Sequence, residues 1–156
     1  MLQERGNHKY EGAKAWVQGF FSFWCHAYFN GCFSMDIRAH HLLCMRSFQG
    51  KGYSEEFVDN FYKVIDELKK NPLVRVVNKP DAICEKCPHN KNGCIKKGPK
   101  SELKVRKKDN RFLKALGITL NSYTRFKDIS KITEKITKKD IKRLCKDCQW
   151  LGYCID

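Results

Sequence analysis

The chain has 156 residues and a formal charge of +14, from 31 Lys or Arg and 17 Asp or Glu side chains. This length allows one domain, or one domain with an extension, and the positive charge favours anionic partners. The nine cysteines are an odd number and cannot all pair within the chain, and the strong helical patterning described below is unusual for a disulfide framework. We therefore expect reduced thiols and a cytoplasmic protein.

Residues 1–34 differ from the rest of the chain. The stretch AWVQGFFSFWCHAYFNGCFS is rich in aromatic residues, but polar residues such as Gln18 and His26 interrupt it too often for a membrane helix. It also lacks the basic start and the aliphatic run of a signal peptide. We interpret 1–34 as an aromatic-rich extension upstream of a native start at Met35. Residues 35–156 then form the cysteine-rich domain, with no membrane segment.

The first half of this domain predicts a short strand, two helices and a second strand. The stretch MDIRAHHLLCMRSF begins as a strand or turn and becomes helical. A clear helix follows in SEEFVDNFYKVIDELKKNP, with Ser54 as its N-cap and Pro72 just beyond its end. The β-branched run LVRVVN predicts a short strand.

The second half predicts three more helices. SELKVRKKDNRFLKALG reads as a helix capped by Ser101 and closed by Gly117. DISKITEKI predicts a short helix, and TKKDIKRLC opens another, with Thr137 and Asp140 at capping-box spacing. The fold class is therefore mainly α with minor β, as a small single helical domain.

Two cysteine triplets share one design. CEKCPHNKNGC holds Cys84, Cys87 and Cys94, and CKDCQWLGYC repeats the pattern near the end of the chain. Two residues between cysteines let both thiolates reach one centre, and we expect a glycine with positive φ to return the third. The second triplet consists of Cys145, Cys148 and Cys154. The domain is thus expected to be organised around one or two cysteine-ligated metal centres.

The type of metal centre depends on how the thiols are grouped. Zinc sites usually take ligands in pairs, and pairing Cys84 and Cys87 with Cys145 and Cys148 leaves two cysteines unexplained. Triplets with one distant ligand are commoner for iron–sulfur clusters. An iron–sulfur cluster, of the 4Fe–4S type, is the favoured cofactor, with zinc as the alternative.

The segment RAHHLLC offers the missing ligands. Cys44 lies four residues after His40 and three after His41, so that one histidine shares its helix face. Cys44 can complete one triplet, and His40 or His41 can complete the other, because seven cysteines cannot make two sites of four. Which triplet Cys44 completes stays open at this point.

A basic stretch offers a contact with nucleic acid. Residues 96–114 contain nine Lys or Arg, and four of them are expected on the outer face of the helix at 101–116. A phosphate-binding surface is one interpretation, and a solvated face that offsets anionic metal centres is the favoured one. The four residues are Lys104, Lys107, Lys108 and Arg111.

Four segments together resemble a known family. IRAHHLLCMRSFQGKGYSEEFV, ICEKCPHNKNGC, ALGI and LCKDCQWLGYC are similar to short bacterial and archaeal proteins of unknown function that are thought to bind iron–sulfur. The resemblance covers nearly all of 35–156 and none of 1–34, and it implies cluster binding by the two triplets and Cys44. It implies no reaction.

Three functions follow as expectations. The first is an iron–sulfur protein in electron transfer or in redox or iron sensing, with a redox or protein partner. The second is a zinc-stabilised module that binds nucleic acid through the basic helix at 101–116. The third is a cluster-dependent enzyme with an open iron site, so the sequence leaves open whether the protein is an enzyme.

Overall fold

The computed structural model describes residues 34–155, so the extension predicted at 1–34 lies outside the described residues except for Ser34, and Cys25 and Cys32 lie outside them too. Within this range the fold is mainly α with minor β, as the sequence predicts, and no helix there is long and apolar enough to cross a membrane. The elements in chain order are β1 (Ser34–Arg38), α1 (His41–Cys44), a 3₁₀ turn (Met45–Ser47), α2 (Glu55–Lys69), β2 (Leu73–Val77), a 3₁₀ helix (Ala82–Lys86), α3 (Ser101–Leu116), β3 (Tyr123–Arg125), α4 (Phe126–Glu134), α5 (Lys138–Leu144) and α6 (Leu151–Ile155).

The three strands form one sheet in the order β1–β2–β3. β1 and β2 are parallel, and β3 pairs with β2 in the antiparallel direction. Asp36 and Arg75 are partners in the β1–β2 register and join through two hydrogen bonds of 2.6 Å. β3 was not predicted, because its three residues are too short to show alternation.

α2 forms as its sequence predicts. The Ser54 hydroxyl accepts a hydrogen bond from the Phe57 backbone N–H at 3.2 Å, which satisfies one free donor of the first turn. The apolar face of the helix packs into the core, with Phe57, Phe61, Val64 and Leu68 buried.

α3 ends as predicted but does not begin as predicted. Gly117 closes the helix in the left-handed conformation, at φ 65°. The prediction of Ser101 as N-cap is wrong, because Ser101 is the first helical residue and Lys100 occupies the cap position. The Ser101 hydroxyl instead accepts a hydrogen bond from the Lys97 backbone N–H at 2.6 Å, which fixes the turn before the helix.

The predicted capping box of α5 is present. Thr137 Oγ1 accepts a hydrogen bond from the Asp140 backbone N–H, and the Asp140 side chain accepts one from the Thr137 N–H, each at 3.2 Å.

We expect Thr137→Ala to lower the free energy of unfolding by about 1 kcal/mol, because the change removes this cap, and urea denaturation measures the loss. Thr124→Ala, at a β3 position with no helix cap, is the control, and an equal loss in both variants would contradict the assignment.

One hydrophobic core carries the sheet and the helices. Fully buried side chains come from β1, α2, β2, α3, α4 and α5, and Cys145 lies at the edge of the same core. This arrangement brings the end of β1, the loop after β2, the start of α3 and the C-terminal segment to one region. The largest of the completely buried apolar side chains are Ile37, Leu68, Ile83, Phe112, Ile129 and Ile141.

Candidate metal centre

The segment after β1 supplies the distant cysteine. β1 stays paired up to Ala39, whose N–H donates to the Val77 carbonyl at 3.0 Å, and α1 then begins at once. The four residues of α1 place His41 and Cys44 at its two ends, with His40 directly before it. The predicted strand-to-helix change in this segment is confirmed.

The following loop runs to the C-terminal end of the described chain. Gln49 Nε2 donates to the Tyr153 carbonyl at 3.0 Å, and the Lys51 ammonium lies 5.1 Å from the centre of the Tyr153 ring. Tyr153 is the neighbour of Cys154 in α6. The chain segment that begins at Cys44 is therefore held against the segment that ends at Cys154.

We call Cys44, Cys145, Cys148 and Cys154 the Cys44 group. Burial and the charges of the other three thiols together raise the pKa of the Cys44 thiol to about 12, although Lys108 acts to lower it. The same burial raises the pKa of Cys145 to about 11, again with contributions from Cys148 and Cys154. The four thiols thus lie close enough to act on one another.

The C-terminal triplet is delivered by two short helices rather than by one loop. Cys145 caps the end of α5, where its N–H donates to the Ile141 carbonyl at 2.8 Å, and the Cys148 N–H donates to the Cys145 carbonyl at 2.8 Å. Cys154 lies in α6, which was not predicted. The expectation that Gly152 adopts a positive φ is wrong, because Gly152 is helical.

We call Cys84, Cys87 and Cys94 the Cys84 group. The Asp81 carboxylate caps the 3₁₀ helix by accepting the Cys84 N–H at 3.0 Å, and the Cys87 N–H donates to the Cys84 carbonyl at 3.1 Å. Asn90 then bonds the Cys84 carbonyl and the Gly93 N–H. Here the expectation of a positive φ is confirmed, since Gly93 has φ 154°.

The pKa values of two thiols of the Cys84 group, Cys84 and Cys87, are also shifted toward the protonated form. Burial raises the pKa of Cys84, and the Asp81 carboxylate adds to the rise. Burial raises the pKa of Cys87 as well, and the Cys94 thiol adds to it. A bound metal reverses this balance because it favours the thiolate form. The residues in both groups are therefore a chemically suitable donor set for a soft metal.

Two histidine–aspartate pairs lie between the two groups. His41 Nδ1 is 2.8 Å from Asp81 Oδ2, and His40 Nδ1 is 2.6 Å from Asp109 Oδ1. The two imidazole centroids are 4.2 Å apart. Because each Nδ1 contacts a carboxylate, Nε2 is the ring nitrogen that remains for a ligand, which is the arrangement of metal-bound histidines.

The surroundings shift the pKa of one member of each pair. Burial would raise the pKa of Asp81, but the charge of His41 and hydrogen bonds from His41, the Arg38 backbone N–H and the Cys84 side chain lower it to about 2. Burial, together with the charges of His41, Lys108 and Arg38, holds the pKa of His40 well below its ordinary value. Asp81 is therefore ionised and His40 neutral at pH 7.

Arg38 is the centre of a buried polar network that sequence reasoning missed. Its guanidinium is 1% exposed and bonds Asp109 at 2.8 Å and Glu102 at 2.9 Å. Glu102 in turn accepts the backbone N–H of Cys94 at 2.8 Å. The network thus joins β1 and α3 to the last cysteine of the Cys84 group. One signal was available: Asp109 lies three and four residues before buried Phe112 and Leu113, on the apolar side of α3.

A cavity of about 440 Å³ lies between these elements. Its walls include both histidines, the three cysteines of the Cys84 group, and Cys148 from the Cys44 group. The structure therefore brings six of the nine predicted site residues to one cavity. The other three are Cys44, Cys145 and Cys154, and they form the rest of the Cys44 group.

The basic side of α3 was only partly predicted. Lys104, Lys108 and Arg111 line the cavity, whereas Lys107 is exposed and does not. Lys104, Lys107 and Arg111 are exposed, as predicted for the outer side of this helix, whereas Lys108 is half-buried. His89, inside the Cys84 group's loop, is half-buried, and its ring centre lies 4.9 Å from that of Tyr53.

Within residues 34–155, all seven cysteines are free thiols. Comparison with curated proteins and with solved structures gives no match. A family model described as a protein of unknown function, DUF1284, matches residues 52–154. The match contains both triplets and begins after His40, His41 and Cys44, which the resemblance noted in the sequence also included. The chain belongs to this DUF1284 family of proteins of unknown function.

Proposed function

We propose that this protein binds iron–sulfur clusters through its two cysteine groups and serves in electron transfer or in redox sensing. The observation that carries the proposal is the Cys44 group. Its thiols come from α1, the end of α5, the loop after it and α6, and their charges act on one another. Four thiolates are the ligand set that a 4Fe–4S cluster takes.

The spread of the sulfur atoms favours a cluster over a single zinc ion. Zinc binds thiolates at about 2.3 Å, so tetrahedral geometry puts the sulfurs about 3.8 Å apart. Among the described residues, ligand atoms of His41, Asp81 and Cys84 all lie within 4.8 Å of one another. No three thiols of either cysteine group lie that close together. Hydrogen bonds to the Asp81 carboxylate account for that set. The more widely spaced thiols fit a polyatomic centre better.

The Cys84 group supplies three thiolates to a second centre. His41 is the candidate for its fourth ligand, because His41 Nδ1 contacts Asp81 and leaves Nε2 for the metal. The same number of cysteines, three, supports the alternative of an open iron, in which a small molecule takes the fourth coordination position. Both forms use the same protein thiolates.

The surroundings of the centres are suited to a redox role. Cys145 is 6% exposed, and Lys108 faces the Cys44 group closely enough to lower the pKa of three members of the set, Cys44, Cys145 and Cys154. Burial, hydrogen bonds and nearby charge are the factors by which a protein sets the potential of a cluster.

Anaerobic purification tests the proposal. We expect a brown protein with broad visible absorption, and with iron and acid-labile sulfide in equal amounts. A colourless protein with stoichiometric zinc and no sulfide would instead support the zinc module.

A further inference from the structure

We propose that the cavity beside the Cys84 group binds a small molecule that carries carboxylate or phosphate groups with two or more negative charges. The proposal deepens the proposed function, on which it rests, by assigning a ligand class to the same site. The cavity, at about 440 Å³, has the size of sites for small molecules. Apart from Arg38, five Lys or Arg side chains line the cavity, and we call them the lysine rim: Lys96, Lys97, Lys104, Lys108 and Arg111.

The lysine rim has almost no acidic partner. In the part of the chain that the structure describes, Lys97, Lys104 and Lys108 form no ion pair, and Asp147 is the one carboxylate of the cavity wall beside them. Asp147 lies 3.9 Å from Arg111, and the side chains of both are exposed to solvent. A cluster held by the Cys84 group is itself anionic, because its thiolates and sulfide ions outweigh the charge of its iron, and it offsets part of the charge of these five cations. An excess of cations therefore remains.

The cations crowd one another instead of dispersing into solvent. Lys96 and Lys97 are adjacent in the chain, and both line the cavity together with Lys108 from α3. Lys96 is also fixed in place, because its Nζ bonds the Tyr53 hydroxyl at 2.9 Å and Gln149 Oε1 at 2.6 Å. Like charges held this close repel one another, and a bound anion offsets that repulsion.

Helix geometry aims two of the cations at the same space. Lys104 and Lys108 are four residues apart and lie on one side of α3, so they can reach one ligand. The cavity wall also holds His40, whose Nδ1 contacts Asp109 at 2.6 Å. Its Nε2 is left to meet the rest of an anionic molecule, because His41 is the candidate fourth ligand of the Cys84 group and Arg38 is already bonded to Asp109 and Glu102.

Calorimetric titration of the anaerobically purified full chain tests the site. The probes are succinate and inorganic phosphate, with uncharged succinamide as the matched neutral molecule, at about 0.15 M ionic strength to limit diffuse attraction. We expect succinate or phosphate to bind and succinamide not to bind. Comparing the two anions identifies which oxyanion the site prefers, and a wild-type protein that binds neither anion overturns the proposal.

Paired variants distinguish anion binding in the cavity from nonspecific attraction to the protein's positive charge. Lys104→Gln/Lys108→Gln removes two cavity cations, and Lys100→Gln/Lys107→Gln removes two charges from the start and the exposed side of the same helix. We expect the first pair to weaken anion binding at least about tenfold and the second less than about twofold. Equal weakening by both pairs would show diffuse attraction and contradict the proposal.

Iron and sulfide counted in the same samples keep the two proposals apart. Anion binding by a protein that contains zinc or no metal supports the anion site while contradicting the cluster. Unchanged iron and sulfide with no anion binding contradicts the anion site alone. Loss of iron in Lys104→Gln/Lys108→Gln assigns the two lysines to the cluster and overturns their assignment to a ligand.

Discussion

Replacing Arg38 with Met is expected to lower the free energy of unfolding by about 3–5 kcal/mol, because the change leaves the carboxylate of Asp109 buried without its cation. Arg38 is 1% exposed, and the side chain of Asp109 is fully buried. The hydrophobic stem of Met fills much of the space, so the expected loss comes from the charge and not from a cavity. Urea denaturation at matched iron content measures the change.

Arg75→Met is the matched control for this prediction. Arg75 also makes two hydrogen bonds to an aspartate, Asp36, but the two side chains are 34% and 28% exposed. Water and salt screen that pair, so we expect a loss of less than about 1 kcal/mol. Adding Asp109→Asn to Arg38→Met should recover part of the stability, since the buried charge is then removed. Equal losses from Arg38→Met and Arg75→Met would contradict a buried charge network.

Replacing Cys44 with Ala is expected to remove about half of the bound iron and sulfide. Cys44 is the one member of the Cys44 group outside the C-terminal triplet, and without it three thiolates must hold a cluster that normally takes four. The Cys84 group keeps its own three cysteines, so its iron should remain. Iron and sulfide analysis on anaerobically purified protein, with far-ultraviolet circular dichroism as a check of folding, measures the result.

Cys32→Ala is the control for loss of a thiol, because Cys32 belongs to neither triplet and lies outside the described residues. We expect it to retain the iron content of the parent chain. Full iron in Cys44→Ala would remove Cys44 from the ligand set, and complete loss of iron would indicate one shared centre instead of two.

Local sequence signals predicted most of the elements and the chemistry of the donors. The Ser54 cap and the apolar spacing of α2 act within one helix, as do the Thr137–Asp140 capping box and Gly117. The two cysteine triplets are also local patterns. Interactions inside a short stretch can be predicted from residue spacing, which is why the caps and the triplets were recognised in the sequence.

The partner of Cys44 could not be predicted, because it depends on contacts between distant parts of the chain. The hydrogen bond from Gln49 to the Tyr153 carbonyl joins residues 104 positions apart. No rule of residue spacing distinguishes packing of the Cys44 segment against the C-terminal triplet from packing against the Cys84 group. Part of the answer also lies in α6, a helix of five residues that is too short to show an apolar period.

The buried polar network was missed for a similar reason. Neither Asp81 nor Glu102 was among the predicted site residues. Each is a capping or surface residue by local rules, and their common partner Arg38 comes from β1. Only the position of Asp109 on the apolar side of α3 departed from the local pattern.

The reciprocal of the Cys44 variant tests the central claim most directly. Cys84→Ser/Cys87→Ser/Cys94→Ser removes every thiol of one group and leaves the four thiols of the other. If the Cys44 group is a complete cluster site, this protein retains about four iron and four sulfide ions per chain, and reduction gives the electron paramagnetic resonance signal of a cluster. A folded triple variant with no iron and no sulfide would contradict the account.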